Sequence, residues 1–195
     1  ERITINGILI NEYDFGFFLN ILFKKEEQYN IKLTYFELIT ALGFYYFDKK
    51  NIDFALIEVG MGGTYDTTNV IERPILCIIV SIGYDHCEYL GNTLDKITKE
   101  KAGIIKYNIP VIIGKTVIVD VIKNKCNQVK STYYQLKCDN MDTMNYDEHN
   151  TELCKLAIKI LSKQYILPVN IDDETEINNI NKCLNIKPQC RFQEY

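Results

Sequence analysis

Three short stretches of this chain carry residues whose types and spacing could do chemistry. Glu58 opens Glu58-Val59-Gly60-Met61-Gly62-Gly63, and Thr64-Tyr65-Asp66-Thr67-Thr68-Asn69 follows it directly. His86 closes Ser81-Ile82-Gly83-Tyr84-Asp85-His86, and Lys101 sits inside Lys99-Glu100-Lys101-Ala102-Gly103-Ile104-Ile105-Lys106. A carboxylate and an imidazole at the ends of neighbouring strands can converge on one cation. Glycines let backbone amides approach an anionic ligand without interference from a Cβ. Each stretch also has a plainer reading. The glycines could make a tight turn, His86 could be a hydrogen-bonded loop residue, and the lysines could complement the dipole at a helix end. Glu58 follows the apolar run Phe54-Ala55-Leu56-Ile57, which places its charge beside a sheet, where it needs a cation or several donors.

The elements that must position these residues follow from periodicity and capping signals. Arg2 to Ile10 alternates around Asn6-Gly7, a strong hairpin signal. A helix is expected over 13–29, with Phe17, Phe18, Ile21 and Leu22 on one face. Thr34-Tyr35-Phe36-Glu37 reads as a capping box opening a second, mostly buried helix to about Phe47. Phe54–Ile57 and Leu76–Ile82 read as buried strands, the first ending at Glu58 and the second at Gly83. Beyond them the pattern gives a helix over 93–105, a strand over 111–114, a helix over 117–129 and a strand over 133–136. Helices then cover about 151–165 and 174–184, and 140–150 is the most loop-like stretch. Strands alternating with helices predict an α/β fold: an open, mostly parallel sheet with helices on both faces. Ligands in such sheets bind beyond the carboxyl ends of the strands, where Glu58 and His86 both fall.

Composition limits the classes available. The chain has 195 residues, is 47% hydrophobic and 25% charged, and contains four prolines, which suits a packed core. A formal charge of −4 argues against nucleic acid as a partner. No apolar run approaches the roughly 18 residues of a membrane span, and no membrane partner is expected. The seven cysteines form no Cys-x-x-Cys pair, which favours reduced thiols in the cytoplasm, with Cys77 and Cys154 on apolar faces. The chain begins Glu1-Arg2-Ile3 and stops at Arg191-Phe192-Gln193-Glu194-Tyr195, so it is expected to be a piece of a longer protein.

The order and spacing of six segments resemble the central ATP-binding domain of the Mur ligase superfamily, a P-loop NTPase-like fold. More narrowly, they are similar to the folylpolyglutamate and dihydrofolate synthase branch. The segments are Glu1 to Gly7, Leu33 to Ala41, Glu58 to Asn69, Ser81 to Thr93, Glu100 to Lys106, and Arg191-Phe192. The likeness is dense to about Gly114, thin from Lys115 to Lys187, and returns at the end. It implies ATP-dependent attachment of L-glutamate to a folate or pteroate through an acyl phosphate, with ATP and Mg2+ as cofactors. By the family's pattern Glu58 and His86 are metal ligands, and Lys101 is a carbamylated lysine that helps hold a metal. In the same pattern Asp66 contacts the pterin substrate, and Arg191 contacts ATP.

This sequence departs from the pattern at Thr64, where the family often has Arg, and at Gln189-Cys190, where it has Pro-Gly. No Walker-type phosphate loop occurs in it. The expectation is therefore a single partial central domain over 1–195, with the phosphate loop before residue 1 and a glutamate-ligase domain after residue 195. Such a piece would be inactive alone and part of a monomeric parent enzyme. The alternatives are a non-catalytic remnant that keeps the fold, or a Mur-type ligase for another amino-acid or peptide substrate.

Overall fold

The computed structural model describes residues 2–137, 144–164, 166–167, 169 and 173–184. Contacts divide the chain into two compact units, Glu1–Ile71 and Glu72–Tyr195.

The first unit starts with an antiparallel hairpin, β1 (Thr4–Ile5) and β2 (Ile8–Leu9). Asn6 and Gly7 at its turn have φ of 52° and 77°, the pair of left-handed conformations a tight two-residue hairpin needs. Helix α1 (Glu12–Tyr29) is capped by Asn11, whose Oδ1 accepts from the Asp14 amide at 2.7 Å. Helix α2 (Tyr35–Lys50) opens with the expected capping box. Thr34 Oγ1 accepts from the Glu37 amide at 3.3 Å, and Glu37 Oε2 accepts from the Thr34 amide at 2.7 Å.

Lys50 Nζ lies 2.9 Å from Asp14 Oδ2, tying the end of α2 to the start of α1, so the helices run antiparallel. Between them Ile3, Phe18, Leu42 and Tyr46 form a core, with Phe18 edge-on to Tyr45 and Tyr46. Phe18 carries the inward position, and Phe17 is left 52% exposed, contrary to the expectation of one shared face.

The run Phe54–Ile57 is not a strand. It is irregular, and Leu56 is 95% exposed. An apolar run becomes a strand only where a neighbour pairs with its amides and carbonyls, and composition cannot supply that neighbour. Glu58 is consequently exposed as well, and the argument that its charge must be compensated beside a sheet falls with the strand.

The second unit holds a parallel sheet of β3 (Cys77–Ile79), β4 (Val111–Ile113) and β5 (Tyr133–Gln135), in that order. Cys77 is in register with Val111, and Val111 with Tyr133. The two-residue alternation splits the side chains between two helical layers. Cys77, Ile79, Val111 and Ile113 pack on Ile97 of α4 (Leu94–Lys101) and on Ile122 and Cys126 of α5 (Val119–Val129). Ile78 and Ile112 face the other way, onto Leu153, Ala157 and Ile160 of α6 (Tyr146–Lys163). Helices therefore cover both faces, as the strand–helix alternation predicts.

Two expectations fail in α6. Asn145 caps it with a second capping box through Glu148, so 146–150 is helical and not loop. Cys154 is exposed because it lies one residue, about 100° of helix, beyond the inward Leu153. The short α3 (Cys87–Leu90) and the C-terminal α7 (Glu174–Leu184) complete the unit.

Candidate functional site

The glycine-rich segment after Glu58 folds around a carboxylate. Asp66 Oδ2 accepts from the amides of Gly60 at 3.0 Å and Met61 at 2.9 Å. Its Oδ1 accepts from the Thr68 amide at 2.9 Å and from Thr68 Oγ1 at 2.6 Å. The second pair caps a 3-10 turn over Thr67–Val70, with Thr68 buried. Asn69 Nδ2 donates to the Thr64 carbonyl at 3.0 Å and closes the other side of the loop.

Gly60 is a close-approach position. A Cβ there would lie 2.6 Å from Phe36 Cζ of α2 and 3.2 Å from Asp66 Oδ2. The Gly60 and Met61 amides thus point inward, and they are not free to cradle an external anion as the glycine pattern suggests. Neither Asp66 nor Thr68 stands out by composition. The only local signal is an Asp two residues before a Thr, the spacing of a side chain bonding its own backbone two residues on. Tyr65, next to Asp66, is 92% exposed.

His86 holds an uncommon backbone conformation, φ 48° and ψ 37°, at the start of α3. Left-handed φ is sterically costly for a residue with a Cβ, and such residues concentrate at functional positions. The geometry is fixed locally. The His86 amide donates to Asp85 Oδ1 at 2.8 Å, and the His86 carbonyl accepts from Tyr89 and Leu90, each at 2.9 Å. The imidazole is half-exposed, with Nε2 3.6 Å from Asp85 Oδ2.

Lys101 is the last residue of α4, whose first turn is capped by Thr93. The Lys101 and Glu58 side chains make no hydrogen bond or ion pair among the described residues. No group of three or more His, Cys, Asp or Glu side chains is gathered as a metal site among the described residues. Arg191, the expected ATP contact, lies outside the described residues.

The carboxyl ends of the strands are organised by contacts the sequence does not advertise. Thr116 Oγ1 accepts from the Ile82 amide at 2.7 Å, joining the segments after β3 and β4. His149 Nε2 accepts from the Lys115 amide at 3.3 Å. Thr116 and His149 both lie in the region where the family likeness is thin.

Comparison with known proteins decides the family. The Mur ligase middle domain matches residues 10–186. The chain belongs to the Mur ligase middle-domain family. Within that family it is 42% identical over 130 residues to the probable dihydrofolate synthetase of Schizosaccharomyces pombe, covering 67% of this chain and 30% of that protein.

The folylpolyglutamate synthase structure from Thermotoga maritima superposes with a TM-score of 0.75 at 26% identity, over 97% of this chain and 49% of that one. A bifunctional folylpolyglutamate synthase/dihydrofolate synthase solved with Mn, AMPPNP and L-glutamate bound gives a TM-score of 0.61 at 27% identity, over 68% and 32%. The chain therefore spans half or less of the length of these Mur ligase relatives. No helix among the described residues is long and apolar enough to cross a membrane.

Proposed function

We propose that this chain is the central part of an ATP-dependent ligase that joins L-glutamate to a folate or pteroate carboxylate. The observation that carries the reading is the family match over 10–186. The resemblance of the segments around Glu58, His86 and Lys101 to the family's pattern supports it. In this reading the substrate carboxylate attacks the γ-phosphate of ATP, giving an acyl phosphate and ADP. The glutamate amine then displaces phosphate and forms the amide. Both reactants are anions, so positive charge must be in place before they meet.

A divalent cation, magnesium in place of the manganese of the relative, would supply that charge when bound. Glu58 and His86 would hold it, with Lys101 as its carbamate. The Lys101 amine must be neutral to add CO2, and the product turns a cation into an anion able to bind metal. Arg191 belongs to the same reading as an ATP contact. So do a cytoplasmic location and a monomeric enzyme acting on small molecules.

ATP-dependent incorporation of labelled glutamate into dihydropteroate or tetrahydrofolate tests the reading. The assay compares this chain with the longest product of its reading frame. Ligation by the longer product alone is expected. Ligation by the 195-residue chain would overturn its expected inactivity alone. Ligation by neither would leave the non-catalytic alternative.

A further inference from the structure

We infer that Thr116 is a positioning residue for His86. Its hydroxyl fixes the chain where it leaves β3, and so sets where the following segment carries the imidazole. The use made of that placement rests on the ligase reading, in which His86 holds metal. Thr116 Oγ1 accepts from the Ile82 amide at 2.7 Å, across 34 residues of sequence. Ile82 is buried, residues 83–89 are all exposed, and the chain is buried again at Leu90. His86 sits at the middle of that exposed span. The Asp85 carboxylate on the His86 amide fixes the shape of the turn. Its place relative to the sheet is set at the two buried ends.

The bonds at the end of the sheet show why a side chain is needed there. The Gly114 amide donates to the Ile79 carbonyl at 2.9 Å, one step beyond the paired Ile79 and Ile113. The chain after β4 then turns off, the Val117 amide reaching back to the Gly114 carbonyl at 3.5 Å. The Ile82 amide thus meets a hydroxyl where a continued ladder would have offered a carbonyl. A main-chain N–H at a buried residue has to be paired, so the contact is structural and not incidental. The 114–116 loop is itself held from α6, where His149 Nε2 accepts from the Lys115 amide.

Thr116→Val keeps the shape and removes the acceptor, whereas Thr116→Ser keeps the acceptor and removes only a methyl group. Ile160→Val, in the core on the opposite face of the sheet, controls for lost stability. NMR on the labelled 195-residue chain reads two quantities. Exchange of the Ile82 amide should rise about fivefold in Thr116→Val, the worth of one neutral hydrogen bond. Residual dipolar couplings of the 83–89 amides should shrink relative to those of β3, because the segment loses its fixed direction. Thr116→Ser should restore both, and Ile160→Val should move neither.

Mn2+ alone is the ligand probe, since it broadens the resonances of groups close to it. The concentration that half-broadens the His86 imidazole should be about tenfold higher in Thr116→Val, the low end for residues that support a metal ligand. Thr116→Ser should return it to the wild-type value. Unchanged Ile82 exchange or unchanged couplings in Thr116→Val would overturn the inference. So would Thr116→Val taking Mn2+ at His86 as the wild type does, or Ile160→Val weakening it equally. A wild-type imidazole that stays sharp in Mn2+ would instead count against His86 as a metal ligand. Exchange and couplings need no metal, so failure of the ligase reading is distinguishable from failure of the brace.

Discussion

His149 Nε2 accepts a hydrogen bond from the Lys115 amide at 3.3 Å, latching the first turn of α6 onto the carboxyl end of β4. The latch works because Gly114, the residue before Lys115, has no side chain. A Cβ there would overlap the Val80 carbonyl oxygen and lie 2.8 Å from His149 Cε1. The imidazole could swing away, but the carbonyl belongs to the backbone beside β3 and cannot. Gly114→Ala should therefore cost about 2–3 kcal/mol, the upper part of the range for overpacking. Adding His149→Ala should not recover it, since the backbone clash remains. Urea unfolding of both variants checks this, and a Gly114→Ala cost below about 0.5 kcal/mol would contradict the close approach.

Thiol chemistry should sort the cysteines by burial. Cys77 is buried at the start of β3, its Sγ donates to the Ile104 carbonyl at 3.2 Å, and burial pushes its pKa up to about 11. At pH 8 its thiolate fraction is on the order of 0.1%, and only the thiolate is nucleophilic. Burial also pushes the Cys126 thiol up. Cys87 and Cys183 are exposed. Iodoacetamide at pH 8, read by peptide mass mapping, should modify Cys87 and Cys183 before Cys77 and Cys126. Cys77 and Cys126 should react only after denaturant is added. Early labelling of Cys77 would contradict its place in the core.

The Thr34–Glu37 capping box gives α2 a pH-dependent start. The Thr34 backbone amide, and then its hydroxyl, hold the Glu37 carboxyl below its ordinary value of 4.5. A depressed acid stabilises the fold above the unfolded value, and that contribution is lost as pH falls through the folded value. Thr34→Ala should lower stability by about 1 kcal/mol at pH 7, the usual cost of losing such a cap. Its deficit relative to wild type should shrink as the pH is taken below 4.5. Denaturant midpoints at pH 7 and pH 3 measure both effects. A deficit that grows in acid would reverse the sign of this argument.

What the sequence makes legible here is local chemistry. Asn6-Gly7 specifies the hairpin, and Thr34 and Glu37 specify the start of α2, because each acts within four residues of itself. The continuous apolar runs Cys77–Ile79 and Val111–Ile113 reveal a sheet buried on both faces. What stays hidden depends on partners that composition cannot name. Phe54–Ile57 has the apolarity of a central strand but no paired neighbour among the described residues, and Glu58 is exposed. The candidate site divides the same way. Glu58, His86 and Lys101 stand out by motif, whereas the inward turn of Asp66 depends on Thr68 and on two amides that carry no side-chain signal.

His86 offers a way to separate backbone strain from side-chain function. Its left-handed conformation costs an L-residue about 1–2 kcal/mol, and glycine escapes that cost at the expense of about 0.5–1 kcal/mol of backbone entropy. His86→Gly should therefore be more stable than His86→Ala by up to about 1 kcal/mol, because alanine keeps the strain. Both variants lose the imidazole equally. If the imidazole is a functional ligand, the two should lose Mn2+ binding and ligation to the same extent despite their different stabilities. Thermal unfolding gives the first comparison, and calorimetric Mn2+ titration with the glutamate-incorporation assay gives the second. Function that tracks stability across the pair, with His86→Gly recovering activity, would mean that the turn matters and the imidazole does not.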